Sequence, residues 1–308
     1  MTERTEKIIW NGELSTWRRL ALRGFTYLSP GLLWLLGLLV LPGIALIFLS
    51  FAKRGEYGNV IWSFTLHNYH SLLGFGPFGW TADNLMIIWR SVVVAFVTTV
   101  VCIVMAYPVA FFIASRPKSS RYLWLILVIV PQWTNTVIRA YAWFLLLAPG
   151  TPLARFATLL KLIPAGGSLY PSAFAVYLGM VSMYLPFIIL PLYASVEQLD
   201  WSLVEAARDL YGSSLRVFMQ AILPQTAPGL MAGTILTFVP AMGSFVVPDL
   251  LGGSKYMLLG NLIEQQFGAS RNWPYGAAIS MALMALTLVS LVYFKKADPG
   301  RKKEFDVL

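Results

Sequence analysis

Cysteine, histidine and charge are all scarce in this 308-residue sequence, and each scarcity removes a class of function. Cys102 is the lone cysteine and lies inside an apolar run, so neither an intrachain disulfide nor a thiolate metal cluster is available, and packing is its expected role. The two histidines, His67 and His70, stand three residues apart in a loop, a spacing that suits a metal if the segment is helical. No Cys, His or carboxylate cluster adjoins them, and two solvated loop histidines are the plainer reading. Charged residues make up only 12% of the chain, where a soluble domain of this size carries about twice that share.

The fourteen carboxylates all fall outside the long apolar runs. Ion-coupled carriers need ionisable groups at mid-membrane depth, where the coupling ion binds, so a secondary carrier is disfavoured. HExxH and GxSxG are missing, and no acids pair within an apolar run, which argues against a membrane enzyme. A phosphate loop is missing as well: the nearest candidate, Gly252-Gly253-Ser254-Lys255, lacks the GxxxxGK[ST] spacing. Energy for any active transport must therefore come from a partner, and no catalytic residue, cofactor or metal ligand is assigned.

Apolar residues are abundant, at 57% of the chain. They gather into runs at 32–51, 91–114, 123–147, 172–195, 228–247 and 276–294, each near the roughly 20 residues that cross a bilayer core. The runs are continuous rather than alternating, so they predict helices and not barrel strands: an all-α integral membrane protein with six spans. The first run is too long for a signal-peptide core and lies behind the mostly polar residues 1–28, so it is read as a retained span. Residues 1–28 are expected to form a basic cytoplasmic tail, partly ordered at most, 29–294 the membrane domain and 295–308 a second cytoplasmic tail.

Lys and Arg give the orientation. Fifteen fall on one side of the six runs, in the two tails and in the segments holding Arg116, Lys118, Arg121, Arg208 and Arg216. Six fall on the other: Lys53, Arg54, Arg155, Lys161, Lys255 and Arg271. The positive-inside rule then places both termini in the cytoplasm of a bacterial inner membrane. This asymmetry accounts for the net charge of +9 as an anchor to anionic lipid, and nucleic-acid binding is not expected.

Proline interrupts five runs, at Pro42, Pro108, Pro131, Pro186 with Pro191, and Pro240, and predicts kinks. Gly229 and Gly233 form a GxxxG pattern that lets another helix approach closely. The first outer loop, 52–89, is rich in glycine and aromatics and longer than an ordinary connection, which points to an interface or a function.

The segment 197–226 carries the most information. Ser202 with Glu205 reads as a capping box opening a short helix, Gly212 as its stop, and Ser213 or Ser214 as the cap of a second helix ending before Pro224. Ala206 and Ala207 leave one side of the first helix small enough to seat in a groove. An amphipathic helix resting on the membrane surface is the competing reading.

Glu205-Ala206-Ala207, a glycine a few residues on and Leu223-Pro224 resemble the EAA loop of binding-protein-dependent ABC importer permeases. The glycine is displaced by one, with Tyr211 at the usual place and Gly212 after it, while the Glu-to-Pro spacing is the usual one. The isoleucine is displaced too, with Ala221 at its usual place and Ile222 next. The resemblance implies a type I importer permease whose coupling helix, carrying Glu205, Ala206, Ala207, Gly212, Leu223 and Pro224, docks on a separate cytoplasmic ATPase dimer. It also implies a second permease subunit and a periplasmic substrate-binding protein.

A narrower resemblance, over roughly 25–295, lies in Pro131-Gln-Trp-Thr-Asn-Thr-Val-Ile-Arg-Ala-Tyr-Ala-Trp143, Tyr184-Leu-Pro-Phe187 with Leu190-Pro-Leu-Tyr193, Pro248-Asp-Leu-Leu-Gly-Gly-Ser-Lys255 and Asn272-Trp-Pro-Tyr-Gly276. These segments are similar to the first permease of spermidine/putrescine importers, which implies a polyamine cargo; iron, thiamine, sulfate and opine-like solutes travel on the same scaffold. Trp133, Asn135, Tyr141, Trp143, Tyr184, Asp249 and Glu264 are the candidate pathway residues, the aromatics through cation–π contacts and the acids through charge. Singly, each aromatic is equally an interfacial belt residue. Arg139, inside the third run, cannot attract a polycation and is expected to be hydrogen-bonded to backbone carbonyls or to an outer-loop acid such as Asp249.

Overall fold

The computed structural model describes residues 2–76, 79–164, 166–253 and 256–297, with side chains placed for 24–76, 79–164, 166–210, 212–253 and 256–294. The C-terminal tail 298–308, Phe78 of the aromatic loop and Lys255 lie outside the described residues, as do the side chains of 1–23, including Arg18, Arg19 and Arg23, and of Tyr211.

The chain is helical almost throughout. In order come α1 (Thr2–Ser50), α2 (His67–Leu72), α3 (Asp83–Ala114), α4 (Lys118–Ile129), α5 (Thr136–Leu146), α6 (Pro152–Leu159), α7 (Ala173–Glu197), α8 (Trp201–Tyr211), α9 (Ser214–Val217), α10 (Leu223–Met242), α11 (Val246–Gly252), α12 (Leu259–Phe267) and α13 (Trp273–Ala297). Among the described residues, strand structure is confined to two small ribbons in the 52–89 loop, pairing Lys53–Arg54 with Val60–Ile61 and Phe75–Gly76 with Gly79–Trp80. The basic N-terminal segment, expected to be partly ordered at most, is helical from Thr2 and runs into the first span.

Among the described residues, five continuous stretches are long and apolar enough to cross a bilayer: Gly24–Ser50, α3, α7, Ser214–Met242 and Trp273–Phe294. Exposed side chains on them are themselves apolar, with Leu39, Phe96 and Val289 exposed by 71%, 60% and 66%, a surface that suits lipid and not water. The run at 123–147 differs from the single span expected: α4 with the short 3-10 turn Val130–Trp133 meets α5 at 93°. Pro131 has no N–H to continue the ladder of α4, and Thr134 is extended. Asn135 then restarts the helix as an N-cap, its side chain accepting from Val137 N at 2.8 Å.

Helix α7 is the centre of the bundle, packed against both α3 and α10, which also touch each other. Small residues set these contacts. Ala106 and Ala110 of α3 are fully buried with Ile188 and Leu192 of α7. Gly229 of α10 sits against the Pro191 carbonyl, and a Cβ on Gly233 would stand 2.9 Å from Ile188 Cα, so the GxxxG pattern is indeed a helix-contact surface. Helix α1 packs against α13. The carbonyl of Ser50 at the C-terminus of α1, and that of Ala52 just beyond it, are taken up by Asn68 of α2, whose Nδ2 donates to Ser50 O at 2.8 Å and Ala52 O at 2.9 Å.

Gly233→Leu is therefore expected to force α10 off α7 and to cost about 1–3 kcal/mol by overpacking, read as a lower Tm of the purified protein. Gly243→Ala, where the nearest atom to a new Cβ is Leu283 Cδ2 at 3.8 Å, is expected to leave Tm unchanged.

Candidate functional site

The elbow between α7 and α10 is built by local capping. Asp200 is the N-cap of α8: its Oδ1 accepts from Ser202 N at 2.9 Å and from Ser202 Oγ at 2.6 Å. The capping box expected from Ser202 and Glu205 is thus corrected, since Asp200 stands two residues closer to the chain entering the helix and reaches the first free N–H groups. Gly212 closes the helix in the left-handed region at φ +67°, with its N–H on Arg208 O at 3.1 Å. Ser213 then caps α9, accepting from Arg216 N at 3.4 Å.

The return arm does not stop before Pro224 as expected. Backbone runs on as one helical stretch from Ser214 to Met242 through a π turn at Phe218–Ile222. Leu223 N reaches back to Phe218 O, and Pro224, which has no N–H and crowds the carbonyl four residues earlier, follows in the widened turn. The proline is accommodated by a bulge rather than by a break.

This arrangement ties the elbow to the bundle. Val204 and Ala207 of α8 are buried with Val217 and Ala221 of the return arm. Asp200 N donates to Gln225 Oε1 at 3.0 Å, and Gln225 Nε2 donates to Ala221 O at 2.9 Å. Tyr107 of α3 hydrogen-bonds Thr226 of α10 at 3.0 Å and meets the Phe218 ring edge-on at 5.2 Å. At the root of the elbow Arg121 Nη1 contacts Glu197 Oε1 at 2.8 Å while its Nε donates to Arg116 O at 2.7 Å, bracing α4 against the end of α7. Sequence reading found neither Tyr107–Thr226 nor Arg121–Glu197, because both join residues far apart in the chain; the only signal was a lone acid beside a basic loop.

Of the elbow residues, Glu205 and Ala206 are exposed together with Leu203 and Leu210, whereas Ala207 is only 7% exposed and faces the return arm. Ala207 therefore does not belong to a groove-seating side, and bulk there breaks the elbow's own core. Leu223 and Pro224 shape the π turn rather than the outward face.

A second feature lies at the break of the third span: a cleft of about 720 Å³ whose walls include Trp133, Asn135, Arg139, Tyr184 and Pro240. Gln132 Nε2 donates to Met183 O at 2.8 Å, pinning the break to α7. Tyr184 donates at 3.2 Å to the carbonyl of Pro240, one of the last carbonyls of α10. Of the candidate pathway residues, Trp133, Asn135 and Tyr184 come together here. Trp143 instead donates to Ser182 Oγ at 2.7 Å, Tyr141 stands half-exposed beside Phe144, and Asp249 and Glu264 are exposed on α11 and α12. The partners expected for Arg139 are not found: its Nε and Nη1 are buried with no hydrogen-bond partner. His67 and His70 do lie on a helix, both exposed, and among the described residues no third metal-ligating side chain joins them.

The Ser202 hydroxyl, then the Ser202 N–H, hold the Asp200 carboxyl below the usual carboxylate range. A depressed folded pKa means that the cap's contribution is present above the unfolded value of about 3.9 and is lost as pH falls through the lower folded value. At neutral pH, Asp200→Ala is expected to speed amide exchange at Ser202 and Leu203 several-fold, while Asp200→Asn, which still accepts, stays near wild type.

Comparison with known proteins agrees with this geometry. Residues 106–303 match the family described as "Binding-protein-dependent transport system inner membrane component". The chain is 40% identical over 273 residues to the spermidine/putrescine transport system permease protein PotB of Escherichia coli, covering 88% of this chain and 96% of the relative. It is 37% identical over 275 residues to PotB of Haemophilus influenzae, covering 89% and 94%, and 32% identical over 296 residues to the E. coli inner membrane ABC transporter permease protein YdcU, covering 89% and 92%. A chain of the bacterial alginate ABC transporter, in complex with its alginate pentasaccharide-bound periplasmic protein, shares the fold at a TM-score of 0.64 and 15% identity, covering 96% of this chain and 98% of that one. The protein thus belongs to the family of inner membrane components of binding-protein-dependent transport systems.

Proposed function

We propose that this permease subunit imports a polyamine of the spermidine or putrescine class, handed over by a periplasmic binding protein and driven by a separate ATPase dimer with a second permease alongside. The observation that carries the cargo assignment is the 37–40% identity, over nearly nine-tenths of the chain, to relatives named for spermidine and putrescine transport. Both termini and the elbow lie in the cytoplasm on the Lys and Arg distribution.

In this reading the ATPase receives the outward face of α8, where Glu205 and Ala206 stand between Leu203 and Leu210, exposed by 54% and 80%. Closure of the ATPase displaces α8. The Asp200–Gln225 bond and the Val204–Ala207–Val217–Ala221 cluster carry the displacement into α10, and Gly229 and Gly233 pass it to α7. Tyr107 brings α3 along. The cleft at the span break lies against α7 and the end of α10, so the same motion reshapes it. Trp133 and Tyr184 offer the cargo's ammonium groups ring faces worth about 0.5–2 kcal/mol each, and Asp249 and Glu264 are available for outer capture.

Arg139 favours a second reading, an anionic small solute on the same scaffold, because a cation in the cleft repels a polycation. Reconstitution with the ATPase, second permease and binding protein separates the two. Spermidine or putrescine is expected to stimulate ATP hydrolysis and uptake; stimulation by an anion alone contradicts the polyamine assignment.

Ala206→Trp is expected to leave insertion and Tm intact while uptake per ATP falls about 5- to 150-fold, the range of coupling free energies of about 1–3 kcal/mol. Ala207→Trp is expected to lower Tm instead, because its side chain enters the elbow's core. Normal uptake per ATP by the Ala206 variant contradicts docking through this face.

A further inference from the structure

We propose that Arg139 is a receptor for a carboxylate side chain of the second permease subunit, forming an intersubunit ion pair at the break of the third span. The inference rests on the permease reading and adds a contact that reading does not supply.

Arg139 sits in the first turn of α5, just past the 93° bend, and its guanidinium lines the cleft. Two of its nitrogens are buried without a partner. A guanidinium keeps its charge at any physiological pH and is shaped to meet a carboxylate, and an unpaired charge at membrane depth is strongly unfavourable. Three neighbouring polar groups bond elsewhere: the Gln132 amide donates to Met183 O, the Asn135 oxygen accepts from Val137 N and the Tyr184 hydroxyl donates to Pro240 O.

The counter-charge does not come from the described part of this chain. Glu197 is paired with Arg121, far along α4 and α7 from the break. Asp249 and Glu264 are exposed on other helices and do not line the cleft. An outside carboxylate has two sources, the cargo or the neighbouring subunit. A polyamine carries ammonium groups only, which leaves the subunit. The surface beside Arg139 fits such a neighbour: Trp133, Ile138 and Tyr141 are exposed by 79%, 62% and 50%, so this side of the break is uncovered within the chain.

Zero-length cross-linking tests the pair in the assembled importer. With Arg139→Lys, a membrane-permeant carbodiimide is expected to join the introduced lysine to an Asp or Glu of the second permease, giving a between-subunit band that wild type lacks. No such band, or a link within this chain, overturns the proposal. A measurement on wild type does not depend on the variant folding. Amide exchange over Thr136–Arg139 is expected to be slower in the complex than in the isolated subunit; equal exchange in both overturns the proposal, as does slowing that requires an added carboxylate solute. If the complex hydrolyses ATP in response to cargo but yields no intersubunit product, this inference alone fails. If no ATPase complex assembles, the permease reading fails with it.

Discussion

Gly229 and Gly233 let α10 lie directly on the backbone of α7, and the proposed coupling route depends on that contact. A larger residue at either position separates two helices that otherwise pack backbone to backbone. Because α10 is continuous with the return arm of the elbow through the π turn at Phe218–Ile222, the close contact joins the elbow to the centre of the bundle along one helical stretch. A lipid environment offers little hydrophobic drive for helix association, so close backbone approach and interhelical hydrogen bonds such as Tyr107–Thr226 have to supply it.

Satisfaction of backbone groups explains the remaining geometry. Where the third span breaks, Asn135 caps α5 and Gln132 anchors the turn to α7; where α10 ends, Tyr184 takes the Pro240 carbonyl. Each irregularity is compensated by a polar side chain, as non-helical backbone at membrane depth requires. Arg139 is the exception among these: its side chain is partly exposed at the cleft wall, and its Nε and Nη1 are enclosed without a hydrogen-bond partner.

Much of this was legible in the sequence. The apolar runs located the spans, GxxxG located a helix contact, and Gly212 and Ser213 marked the elbow's turn. Composition and periodicity report length and apolar character, which is why the run at 123–147 read as one span although Pro131, Thr134 and Asn135 bend it by 93°. The N-cap was misplaced because Asp200 and Ser202 are both good caps, and only backbone geometry decides between them. Which way Ala207 faces depends on how the return arm folds back, and the Arg121–Glu197 pair on how α4 meets α7; neither is a local property of the chain.

The central claim is that the exposed face of α8 is held by a separate ATPase and moves with it. A photoactivatable side chain in place of Leu210, 80% exposed at the end of that face, tests it in the intact complex. The account predicts a cross-link to the ATPase subunit whose yield changes when ATP is added. Cross-links to lipid or to this chain alone, unchanged by ATP, contradict it.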